Sequence, residues 1–134
     1  MGRRENFTDN LTFLNSQLKV LIDKLLAASA VPPIIILQAD EGPFSLIGPW
    51  LGEDATEAAL RVKMGILNAY YLPEVDNNAL YSAITPVNSF RLVFDLYFGT
   101  ELGLLPDRCY AYDHGYPDQS RYKFIDVTGK VLGN

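Results

Sequence analysis

Val31-Pro32-Pro33-Ile34-Ile35-Ile36-Leu37-Gln38-Ala39-Asp40-Glu41-Gly42-Pro43 is the stretch on which the fold turns. Its prolines lack amide donors and push the residue before each of them out of helical geometry. Ile34 to Leu37 is apolar at every position, so a strand built from it is apolar on both faces. Such a run predicts a central strand of a parallel sheet, covered by helices on both sides. The acidic turn Asp40-Glu41-Gly42-Pro43 cuts the strand off, and in open α/β sheets ligands sit beyond such carboxyl ends.

Upstream, Phe7, Leu11, Leu14, Leu18, Leu21, Ile22 and Leu25 recur at three- and four-residue steps. This predicts an amphipathic helix over about 6–28, with Asn10, Asn15, Lys19 and Lys24 facing water. The stripe suits a helix laid on a sheet, and its length of about three heptads also reaches the lower limit for a dimerising coiled coil.

Downstream, Asp54 is placed to cap a short helix running to Met64, which Gly65 closes. Ile66 to Leu72 reads as a second strand. Thr85-Pro86 opens a further helix, with threonine as cap and proline in the first turn, and Gly99 stops it. Val87, Phe90, Val93, Phe94 and Tyr97 mark its expected buried face. Cys109 to Tyr112 and Tyr122 to Val127 read as two antiparallel strands around a polar loop.

The 134 residues suffice for one domain with its own core, read as a single α/β unit over 1–134. Hydrophobic residues make up 49% and charged residues 20%, the balance of a globular domain rather than a disordered tail. A net charge of −5 supplies no electrostatic footprint for nucleic acid or anionic lipid. One cysteine, Cys109, rules out an internal disulfide and a Cys-rich zinc site. No run reaches the roughly 20 apolar residues of a membrane-spanning helix, and Met1-Gly2-Arg3-Arg4-Glu5 lacks the apolar run of a signal peptide.

Two stretches carry a resemblance. Ile34 to Pro43 is similar to the strand ending in Asp-His-Gly that supplies metal ligands in alkaline phosphatases, lipoteichoic-acid synthases and many sulfatase-like proteins. Gly65-Ile66-Leu67-Asn68-Ala69-Tyr70-Tyr71-Leu72-Pro73, followed by Leu80 to Arg91, resembles bacterial membrane-anchored sulfatase-like proteins of the alkaline phosphatase superfamily, where it follows the metal strand at similar distance. The likeness spans about Phe7 to Thr128. It implies the C-terminal part of an α/β sandwich, with a buried parallel strand and a terminal β-hairpin. It also implies that the N-terminal part of a parent chain is the natural partner, that membrane attachment comes only through upstream segments, and that the parent works on the extracytoplasmic face.

By that resemblance Asp40 matches a metal-binding aspartate, while Glu41 departs from the usual histidine. Two carboxylates favour calcium or magnesium over zinc, with manganese also open as the divalent metal; the plainer reading is a capped acidic turn. The family's nucleophile and first metal aspartate lie earlier in the domain than anything in this sequence. Asp113-His114-Gly115 spells the motif after an aromatic strand, so His114 reads as a loop residue, with a late metal or substrate contact as the alternative. Arg91 is a candidate anion contact, or a partner for Asp95 four residues on. The clustered tyrosines suit either a pocket wall or a core.

Two functions follow as expectations. One is the back part of a divalent-metal hydrolase or transferase acting on phosphate or sulfate esters, inactive alone. The other is a non-catalytic sulfatase-like binding or scaffold domain with a degenerate metal site. A strand wanting neighbours on both edges leads to the further expectation of a homodimer or larger assembly.

Overall fold

The computed structural model of the chain describes residues 3–43, 55–112 and 124–133. Their order is α1 (Arg3–Ala28), β1 (Ile35–Gln38), α2 (Glu57–Met64), β2 (Asn68–Tyr71), a 3-10 turn (Asn77–Ala79), α3 (Pro86–Phe98), β3 (Tyr110–Tyr112), β4 (Phe124–Asp126) and α4 (Thr128–Leu132). The class is mixed α/β, with four helices and two small antiparallel sheets among the described residues.

The strand at Ile34 to Leu37 forms where expected, but its pairing corrects the expectation of a parallel sheet. β1 runs antiparallel to β2, with Ile35 opposite Tyr71 and Gln38 opposite Asn68. The cause lies in the connection. After Asp40 the chain turns against the end of α2, where the Gly42 amide donates to the Lys63 carbonyl at 2.7 Å. β2 then begins beside the carboxyl end of β1, and the Ala39 amide donates to Leu67 O at 2.9 Å. A parallel partner would need the chain to return to the start of β1. Nor is β1 deeply buried: Ile35, Ile36 and Leu37 are half-buried and Gln38 is exposed.

α2 is capped by Thr56, whose hydroxyl accepts from the Ala59 amide at 3.2 Å. The expected cap, Asp54, lies outside the described residues. Gly65 closes the helix as expected, its amide donating to Arg61 O. Leu60, fully buried, packs α2 onto Ala111 of β3 and Val127 before α4, with Ala55, Met64, Ile125 and Val131 around them. β3 and β4 pair antiparallel as the expected terminal hairpin.

α3 starts at Pro86 and ends at Gly99, which takes the left-handed conformation (φ 63°) that lets its amide reach Phe94 O. Its buried face matches the expected one only in part: Val93 is buried and Tyr97 half-buried as expected. Asn88, Ser89, Leu92 and Val93 point inward, whereas Val87, Phe90 and Phe94 point out. Phe90, Phe94 and Phe98 are 51%, 42% and 67% exposed and stack as a ladder, with ring centroids 6.2 and 5.9 Å apart. Asn88 and Ser89 turn inward, where each finds hydrogen-bond partners.

α1 forms over the expected residues and extends three residues further at its start. Only Leu18 and Ile22, with Asn15, Lys19 and Asp23, border the groove against Leu37 and Leu67 of the first sheet region. The leucines along the neighbouring side stay accessible.

Candidate functional site

The turn after β1, the end of α2, the segment Leu80 to Pro86 and the start of β3 enclose an open cleft of about 1000 Å³. Asp40, Glu41, Tyr70, Tyr81, Arg108 and Cys109 stand on its wall. Asp40 and Glu41 are therefore brought to a cleft mouth, as a ligand pair would be. Their hydrogen bonds are those of a capped turn. Asp40 Oδ1 accepts from the Glu41 amide at 2.9 Å, and the Glu41 carboxylate pairs with the Lys63 ammonium.

That arrangement does not fit a zinc or calcium ion. One of the two carboxylates is already neutralised by a lysine, and such ions take four or more ligands. Among the described residues no three His, Cys, Asp or Glu side chains gather to add to them. Calorimetry with zinc and calcium is expected to give affinities weaker than about 10 μM, far from those of structural sites. Sub-micromolar affinity lost in Asp40→Ala would overturn this.

Arg91 is engaged with its own chain. Its Nε donates to Gly103 O at 2.7 Å, and the guanidinium also reaches Leu102 O. Asp95 faces the same loop from one turn on. It accepts from Thr100 Oγ1 at 2.6 Å and from the amides of Leu102 and Gly103 at 2.8 and 2.9 Å. The Thr100 hydroxyl first, then the Leu102 amide, hold its carboxyl below the usual range. The two side chains expected to pair thus clamp one loop together. His114, with Trp50, Ser45, Asp118 and Ser120, lies outside the described residues.

Behind the cleft wall stand two linked polar clusters that the sequence does not announce. Asp107 accepts from Tyr81 Oη at 2.5 Å, from the Thr85 amide at 2.7 Å, and from Thr85 Oγ1 and Asn88 Nδ2. Thr85 therefore spends its hydroxyl on Asp107 and not on capping α3. Asn88, with no exposed surface, also donates to Leu105 O at 2.8 Å and accepts from Leu105 N at 2.9 Å. Burial pushes the Asp107 carboxyl up, but the hydrogen bonds from Thr85, Tyr81 and Asn88 outweigh it and leave the carboxyl below its ordinary value. The Tyr81 phenol is pushed up, by burial first and then by the carboxylate it donates to.

The second cluster ties the first sheet to α3. Gln38 Nε2 donates to Asn68 Oδ1 and to Ser89 Oγ, both at 3.0 Å, and Tyr70 Oη shares a 2.5 Å hydrogen bond with Ser89 Oγ. Ser89 is fully buried and its hydroxyl is shared among these groups and the Thr85 carbonyl. A nucleophile needs access and a base, and Ser89 has neither. The Cys109 thiol is pushed up by burial, then by the charges of Asp126 and Asp107, which keeps it protonated and a poor nucleophile.

The chain's geometry thus offers a two-carboxylate turn, a tyrosine-walled cleft and a saturated structural network. No helix among the described residues is long and apolar enough to cross a membrane. No protein-family model, no curated protein and no solved structure matches the chain.

Proposed function

We propose that this chain is a non-catalytic binding or scaffold domain of sulfatase-like type, which works by seating its apolar faces against the rest of a parent protein. The single observation that carries this reading is α3, which is covered on one side and displays Phe90, Phe94 and Phe98 on the other. A helix packed on one side and apolar on the other is the kind found between two layers of a larger body. Aromatic side chains in such a row are the usual anchors of a contact. The ion pair of Glu41 with Lys63 supports a structural rather than a ligating role for this turn. The alternative, a piece of a divalent-metal ester hydrolase or transferase, draws its support from the placement of Asp40 and Glu41 on the cleft wall; it needs a nucleophile and further ligands from elsewhere.

Turnover can overturn the non-catalytic reading, whereas a silent assay is expected of either one. The purified chain, given aryl phosphates or aryl sulfates with zinc, magnesium, manganese or calcium, is expected to hydrolyse nothing above the blank. Hydrolysis that disappears in Asp40→Ala would establish the enzyme reading instead.

A further inference from the structure

We propose that α1 is a self-association helix, whose leucine seam pairs with the same seam of a second copy of this chain. Phe7, Leu11, Leu14, Leu18, Leu21 and Leu25 follow alternating four- and three-residue steps. With Leu11, Leu18 and Leu25 as a positions, Phe7, Leu14 and Leu21 fall at d, the knobs-into-holes pattern of a coiled-coil seam. From Phe7 to Leu25 the seam runs about 27 Å at 1.5 Å per residue.

The structure shows which part of this pattern the chain's own fold uses. Leu18 and Ile22, on one flank of the seam, are half-buried and border the groove against the first sheet. Leu11, Leu14, Leu21 and Leu25 remain 44%, 51%, 52% and 41% exposed. Successive residues turn by about 100° around a helix, so these leucines centre roughly a quarter-turn away from Ile22. A neighbouring helix can therefore lie beside α1 while the sheet stays in place, with Leu18 at the junction. Pairing through one such seam closes on itself about a two-fold axis, so the assembly proposed is a dimer.

Charge and the self-complementary seam fit a second copy as the occupant. The residues bordering the seam at e and g are Thr8, Asn15 and Ile22, and Asn10, Gln17 and Lys24. Only Lys24 is charged, so bringing two copies together sets no row of like charges face to face. Lys19 and Asp23, on the far side, form an ion pair within their own helix at 3.0 Å and need no partner.

This inference concerns α1 and stands apart from the turnover assay, so either can fail alone. The test is sedimentation equilibrium of the whole chain at 1 to about 50 μM, with thermal melts followed at the same concentrations. Wild type is expected to be dimeric, with a melting temperature that rises with protein concentration, as linkage requires of a dimer. Leu14→Lys/Leu21→Lys is expected to be monomeric, with a melt independent of concentration. Phe13→Lys/Val20→Lys, on the other side of α1, and Phe90→Lys/Phe94→Lys on α3 are expected to stay dimeric. A wild-type monomer with a concentration-independent melt overturns the proposal, even if a lysine variant fails to fold. So does a dimer that survives Leu14→Lys/Leu21→Lys or is lost only with Phe90→Lys/Phe94→Lys.

Discussion

Asp107→Ala is expected to lower the unfolding free energy by about 3–4 kcal/mol, from the loss of charge-assisted hydrogen bonds and the stranding of their donors. The carboxylate accepts from Tyr81, from both the amide and hydroxyl of Thr85, and from Asn88. Asn88 has no exposed surface from which to recruit water in its place. The affected residues join the start of α3 to the strand-bound segment after Leu105, so the damage spreads beyond one contact. A domain of this size is expected to lose roughly 10 °C in Tm. The pH dependence follows the same group. Its folded pKa is lowered, so the stabilisation is fully present above the unfolded carboxylate value near 3.8. It fades as pH falls through the folded value, because the unfolded chain binds its proton first. The gap in Tm between wild type and Asp107→Asn should therefore be constant from pH 5 to 8 and narrow below pH 4. A gap of under about 2 °C at pH 7 would show that the cluster contributes little.

Gly42→Ala is expected to destabilise by about 2–3 kcal/mol, through overpacking against atoms that cannot swing aside. A methyl at Gly42 would run into the Val62 carbonyl and approach the Lys63 carbonyl oxygen at 2.9 Å. Both are backbone atoms at the end of α2. Relief requires moving the turn away, which breaks the 2.7 Å hydrogen bond from Gly42 to Lys63. The glycine is required here by close approach, not by unusual dihedrals. Hydrogen exchange at Gly42 and Ala39, read beside the thermal melt, reports the shift directly. Unchanged protection at both amides with an unchanged melt would mean that α2 yields freely.

These two positions also mark how far the sequence could be read. Pro86 and Gly99 mark both ends of α3, because first-turn proline and left-handed glycine act within a turn of their own position, although the Thr85 hydroxyl goes to Asp107 and not to the helix. The face of that helix could not be read the same way. Asn88 and Ser89 are buried by Asp107, 19 residues on, and by Gln38, 51 residues back. Polarity in a local window hides such partners. The direction of β1 was misread for a similar reason. Its apolar faces say that it is covered, but the turn at Gly42 decides on which side and in which sense β2 returns. Of the candidate site, Asp40 and Glu41 reached the cleft wall as their place after a strand suggested, while the salt bridge to Lys63 depended on contact with α2. Arg91 and Asp95 were legible as neighbours, yet the loop they share lies beyond the helix end.

The edges of the first sheet have a consequence for handling the protein. Among the described residues β1 pairs with β2 alone, so one side of Ile35–Gln38 offers unsatisfied backbone groups. An uncharged run rich in β-branched residues, presented at an open edge, is the kind of segment on which cross-β stacking nucleates. Here the run is fenced. Pro32 and Pro33 cannot donate to a growing ladder on one side, and the Asp40 carboxylate sets like charges against an in-register copy on the other. The fence leaves only four residues of strand, shorter than the six or seven that a steric zipper uses.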